Sequence, residues 1–277
     1  MEQGVIRALG YVEKVSLSLA SLGIDLSADE ELTKYTGLLD KKSAKKLAGK
    51  WRKRWGITNE QQLEWANANT VYSDLRSYIE RLGVFVLHYS MDTEKVAGLY
   101  TKIDGGPHAI VINRSSGSKA RRLFTLAHEF CHVLLRASGI SNPSIRKNRI
   151  EVFCNQFAAY LLAPKELIRQ GLDKYNYTPS IDNSTIRLLA QNLGISQQCC
   201  LLRLIDMKIL PKEDYSRWVG RFVGKIPEED KKTKSGGGGG DPDPIRDKRL
   251  IMFYVSCEAI KSSQGGLLTQ CSTDSCH

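Results

Sequence analysis

His128 and His132 stand four residues apart in the stretch RRLFTLAHEFCHVLLR, and Glu129 follows the first directly. On an α-helix, positions i and i+4 share one face a turn apart, so both imidazoles can be presented to a single ion. Glu129 projects about 100° round the helix from His128. From there its carboxylate can reach a water at the ion without being a ligand. H-E-x-x-H on a helix is the pattern of zinc-activated hydrolysis with the glutamate as general base. The competing reading is a histidine pair that merely shares a helix face. A third protein ligand separates the two, because catalytic zinc takes three and leaves the fourth position open.

Glu151 is the candidate, nineteen residues after His132 at the head of EVFCNQFAAYLLAP. Two antiparallel helices joined by the GISNPS break would bring it opposite the histidines, and His-His-Glu is an established zinc ligand set. A carboxylate at a helix start also has a simpler use, complementing the macrodipole. Asn155 lies one turn beyond Glu151 and could accept a hydrogen bond from the outer nitrogen of a ligand histidine. A donor for a developing oxyanion is also needed. His88, Tyr100, His108 and Tyr160 are available, and the spacing does not choose among them.

The elements that must position these residues read as follows. Up to about residue 82 the chain is helical, with apolar residues at helical spacing and stops at Gly56 and Gly83. Residues 84–90, 96–103 and 108–114 are short β-rich runs separated by turn residues, expected to form a small antiparallel meander. The last of them is a candidate sheet edge for an extended substrate. Helices are then expected over 119–137 and 149–162, the second stopping before Pro164. A helical pair around the Gly194-Ile195-Ser196 turn resembles a helix-turn-helix, although Arg203 falls where an apolar residue belongs. An ordinary hairpin packed on the preceding domain is the rival reading.

The stretch FTLAHEFCH followed by IEVFCNQFAAYLLAP resembles the ImmA/IrrE metallopeptidase family, whose members carry A-H-E-x-x-H and then E-x-x-A-N-x-F-A-x-x-x-L-x-P. The order of LRSYIERLGVFVL, GLYTK and HAIVINR before the motif is similar too. The resemblance implies an α+β, mostly helical, zincin-like domain with a small antiparallel or mixed sheet. It implies zinc held by the residues matching His128, His132 and Glu151, with Glu129 matching the general base. It also implies a helix-turn-helix repressor as the protein substrate, cleaved to release its genes. Cys131 and Cys154 stand where the family commonly has glycine and alanine. They read as packing residues that face each other or the core.

The expected organisation is a helical region over 1–73, the metallopeptidase domain over 74–180 and a helical, helix-turn-helix-like subdomain over 181–226. A glycine-rich linker over 227–243 and a polar tail over 244–277 complete it. No apolar run approaches the roughly 20 residues of a membrane span. The N-terminus lacks a basic-then-apolar leader, and seven scattered cysteines do not form a disulfide framework, so a cytoplasmic protein is expected. A formal charge of +10 favours acidic partners. DNA contact is possible through Lys41 to Arg54, which holds eight cations and no acid, or through Ala190 to Leu204. The rival function is therefore a DNA-binding regulator with a relic metal helix. A non-cleaving partner of a regulator is a third reading.

Overall fold

The computed structural model describes residues 3–23, 32–65, 67–93, 95–102, 106–137, 139–141, 149–176 and 181–222. The expected linker at 227–243 and tail at 244–277 lie outside them.

VFVLHY and HAIVIN carry apolar residues at nearly every position, as strands covered on both faces do. They form β1 (Val84–Tyr89) and β3 (His108–Asn113), which pair in parallel, Val84 opposite His108 and Tyr89 opposite Asn113. The strand β2 (Gly98–Lys102) runs antiparallel along the other side of β3, and the short β4 (Gly139–Ser141) runs antiparallel to β2. The order is β1-β3-β2-β4. The sheet is therefore mixed, as the antiparallel or mixed sheet of the expected fold class allows, and the simple antiparallel meander is not formed. Parallel neighbours cannot share a hairpin, so the chain leaves β1, forms β2 two places away and returns through β3 between them. It follows that residues 108–113 are central, paired on both sides, and cannot serve as the expected substrate edge. The edges among the described strands are β1 and β4. The latter lies in the GISNPS stretch, expected only to separate two helices.

Each face of the sheet buries its own core. Phe85, Leu87, Leu99, Ala109 and Val111 meet α1 (Gln3–Ser21), packing with Val5, Ala8, Val12 and Val15. The approach is close at Gly4, where an added Cβ would stand 1.7 Å from the Met91 carbonyl oxygen. Val84, Val86, Tyr100, Ile110 and Ile112 face the other way. They meet the helical core that includes α4 (Ala68–Glu80), α5 (Lys119–Leu135) and α6 (Arg149–Leu162). The expected boundary at residue 73 falls inside α4.

The basic segment becomes α2 (Lys41–Arg54), capped where Asp40 Oδ1 accepts from the Ser43 N–H at 2.7 Å. Ala44, Leu47, Ala48 and Trp51 turn inward against α6. Arg52 turns inward as well. It donates to Gln62 Oε1 in α3 (Asn59–Glu64) at 2.7 Å and to the Leu161 carbonyl at 2.8 Å. The remaining helices are α7 (Lys165–Lys174), α8 (Asn183–Asn192), α9 (Gln197–Asp206) and α10 (Glu213–Phe222). Arg203, the cation that interrupts the apolar pattern of α9, is buried. It donates to the Ala163 carbonyl at 2.7 Å, pairs with Asp206 and lies over the Tyr160 ring at 4.4 Å. Leu189, Leu193, Cys200 and Leu204 join the same core as the sheet and α5. The α8–α9 hairpin is thus packed onto the domain. No helix among the described residues is long and apolar enough to cross a membrane.

Candidate metal centre

The helix α5 starts at Ser118, whose hydroxyl accepts from the Arg121 N–H at 3.3 Å. Leu123, Leu126, Ala127 and Phe130 anchor it in the core, and this carries His128, Glu129 and His132 inward, at 0%, 0% and 3% exposure. A rigid, buried helix fixes these side chains far better than a loop would. The helix ends at Arg136 in the left-handed region, φ 54°. Beyond it, the Ala137 N–H reaches back to the His132 carbonyl and the Arg136 N–H to that of Val133, both at 3.1 Å. This is the two-bond closure of a Schellman turn. It leaves the Ala137 carbonyl 3.0 Å from Nδ1 of His132.

Across the interface, α6 packs against α5 and supplies Glu151 and Asn155. Asn155 Oδ1 is 3.0 Å from Nδ1 of His128. Both outer nitrogens therefore face oxygen acceptors and carry the protons, and this tautomer turns both Nε2 lone pairs inward. There Nε2 of His128 and Nε2 of His132 stand 3.1 Å apart. Glu151 completes the triangle, Oε2 at 3.2 Å from His128 and Oε1 at 3.2 Å from His132. Two neutral imidazoles and a carboxylate offer this space only lone pairs, an arrangement that repels itself unless a positive charge stands between them.

The dimensions suit a metal ion. Bonds of about 2.1 Å in a tetrahedral site place neighbouring ligand atoms about 3.4 Å apart, and the observed edges are 3.1 to 3.2 Å. His128, His132 and Glu151 form the one group among the described residues whose ligand atoms converge in this way. Without an ion the same demand falls on protons. Burial by itself lowers the pKa of His132, but its contacts with Cys154 and Glu151 outweigh burial and hold the value at about 11. Burial raises Glu151, and the two histidines outweigh it, bringing the carboxyl down to about 2.

Glu129 lies against the sheet. The wall there is Gly98, where an added Cβ would lie 2.7 Å from Thr125 Cγ2 and 3.3 Å from Glu129 Cγ. Only a glycine lets β2 approach so near. Its place at the head of a strand was a readable signal, since a strand glycine often marks a close backbone approach. The Ala137 carbonyl was harder to foresee, because its role depends on how α5 terminates.

The four residues considered for the oxyanion part company. His88 bonds the Tyr72 hydroxyl at 2.7 Å, and burial, reinforced by Arg76 and neighbouring cations, lowers it to about 3. Tyr160 lies half a turn round α6 from Glu151 and donates to Asp206. His108 and Tyr100 bond each other at 2.8 Å. Of the four, Tyr100 shares with Gly98 the side of β2 that faces α5. Cys131 and Cys154 are buried free thiols in contact with each other, and burial pushes the Cys154 thiol up.

Residues 79–204 match the family model of peptidase M78, described as the IrrE N-terminal-like domain. The match begins in α4, includes every element of the centre and ends in α9, so the α8–α9 hairpin lies within it. Comparison with curated proteins finds no match.

Proposed function

We propose that this chain, which belongs to the ImmA/IrrE metallopeptidase family through its IrrE N-terminal-like domain, is a zinc-dependent endopeptidase acting on a helix-turn-helix repressor. The observation that carries the reading is the set of three inward lone-pair donors 3.1 to 3.2 Å apart, with both imidazoles held in the tautomer that ligation requires.

His128, His132 and Glu151 would hold the ion, and two histidines with a carboxylate are a donor set typical of catalytic zinc. When bound, zinc makes water a stronger acid and polarises a carbonyl. Asn155 and the Ala137 carbonyl keep the imidazoles aimed. Glu129 is one residue from His128 and buried beside β2. Its carboxylate takes the proton of the attacking water and returns it to the departing amine. The peptide is best aligned by β4, whose Ser141 is opposite Gly98, the residue that touches Glu129. An edge strand offers a substrate backbone the unpaired groups that a central strand lacks.

The test is metal content per chain for wild type, Glu151→Ala and Glu129→Gln, followed by cleavage of candidate repressors. The expected result is about one zinc in wild type and in Glu129→Gln, a clear loss in Glu151→Ala, and cleavage by wild type alone. A wild-type chain that takes up no metal after loading would end this reading.

A further inference from the structure

The outward face of α2 has no part in the centre described above. Lys42, Lys45, Lys46, Lys50, Lys53 and Arg54 are all exposed on it, while Ala44, Leu47, Ala48 and Trp51 take the inward side. At 100° per residue these six cations and Gly49 span about half of the helix circumference. The nearest acid, Asp40, is engaged as the N-cap. Asp206 takes Lys41 at the margin. Gly49 lies within the basic arc, and a Cβ there would meet nothing within 4 Å. No packing therefore explains a glycine in mid-helix, where it is a poorer helix former than alanine. A bare backbone between lysines lets a large charged partner come close.

We propose that this face of α2 is a docking surface for the phosphate backbone of duplex nucleic acid, independent of base sequence. Three features of the face select that partner. It has no exposed apolar side chain, whereas protein interfaces have an apolar centre and are poor in lysine. Its rings are turned away, Trp51 buried and Trp55 half-buried, whereas single strands are held by stacking on exposed aromatics. Lysine acts on phosphate as a point charge and positions without reading bases. From Lys42 to Lys53 the helix rises about 16 Å, beside a duplex that carries one charge per about 1.7 Å. The α8–α9 hairpin is the poorer candidate, because the only cation of α9, Arg203, is buried in its own contacts.

The experiment measures binding of a labelled 20-base-pair duplex of mixed sequence by fluorescence anisotropy, between about 50 and 200 mM salt. It compares the full chain with the reversal Lys45→Glu/Lys46→Glu/Lys50→Glu. A second reversal with the same change in net charge, Lys102→Glu/Lys174→Glu/Lys212→Glu, uses lysines exposed elsewhere. Wild type should bind with log K falling against log salt at a slope of about −4.5, one phosphate at −0.9 for each of the five exposed lysines. The α2 variant should lose more than tenfold in affinity and flatten the slope, while the control variant loses less than threefold. Equal losses in the two variants, or no wild-type binding at 50 mM salt, would overturn the proposal. So would capture of polyglutamate in preference to the duplex, which would indicate an acidic protein partner. Thermal melts and zinc content of both variants should match wild type, so the result is distinct from the fate of the peptidase reading.

Discussion

Asn155 and the Ala137 carbonyl hold the outer nitrogens of the two histidines, each at 3.0 Å. Loss of such a partner usually costs a metal site 10- to 100-fold in affinity. Asn155→Ala is therefore expected to weaken zinc binding by about that factor in a competition titration, and Asn155→Asp to recover most of it. Glu129→Gln should leave affinity alone and lower kcat by about a hundredfold or more. The metal-free centre has a pH signature of its own. The folded pKa of His132, about 11, lies above its ordinary 6.5, so this group stabilises fully below about pH 6.5 and progressively less toward 11. That of Glu151, about 2, lies below 4.5, so its contribution is complete above about pH 4.5 and is lost toward 2. A metal ion bound at this centre must displace the His132 proton. The gain in Tm on loading should therefore grow with pH in parallel melts of stripped and loaded protein. A gain independent of pH would mean that His132 is already neutral.

Among the elements, the contact of α5 with β2 governs where Glu129 stands. Gly98→Ala must push its methyl into Thr125 and the Val111 carbonyl, which lies 3.0 Å from the added atom. Overpacking of this kind costs about 1 to 3 kcal/mol, and here the strain falls on Thr125 and on the neighbouring Glu129. Gly98→Ala should lower kcat more than tenfold while zinc stoichiometry stays near one. Thr125→Ser, which removes the nearer methyl, should restore part of the loss in the double variant. Arg136 ends α5 in the left-handed region without the ease of glycine. Its guanidinium donates to the Leu32 carbonyl at 2.5 Å, so the side chain accounts for an otherwise unfavourable choice.

For the whole molecule, Arg52 shows how the basic segment is tied to the centre it flanks. Burial lowers its pKa to about 10, which leaves it charged near neutrality. Its bonds to Gln62 and to the Leu161 carbonyl join α2 and α3 to the helix that carries Glu151. Arg52→Ala would leave those acceptors buried without a donor, at about 1 to 3 kcal/mol for each. A fall in stability of about 3 kcal/mol is expected from denaturant unfolding, against almost none for Lys53→Ala on the exposed side. Identical curves for the two variants would contradict this placement of Arg52.

His128, Glu129, His132 and Glu151 could be picked out by counting along the chain, because helix geometry turns a spacing of four into a shared face and a glutamate at a helix start into a neighbour. Dense apolar character likewise marked residues 84–90 and 108–114 as strands. Their arrangement was not legible. Whether β3 pairs with β1 in parallel or ends the sheet as an edge depends on which faces α1 and α5 cover, and the α1 contacts join residues about eighty to a hundred positions apart. The same holds for Arg52 and Arg203, which read as surface charges until distant carbonyls are brought to them. Local spacing determined which side chains could share an ion in this protein. Tertiary packing decided which strands are edges, which cations are buried and which nitrogen of each histidine faces inward, since each depends on groups far away in the chain.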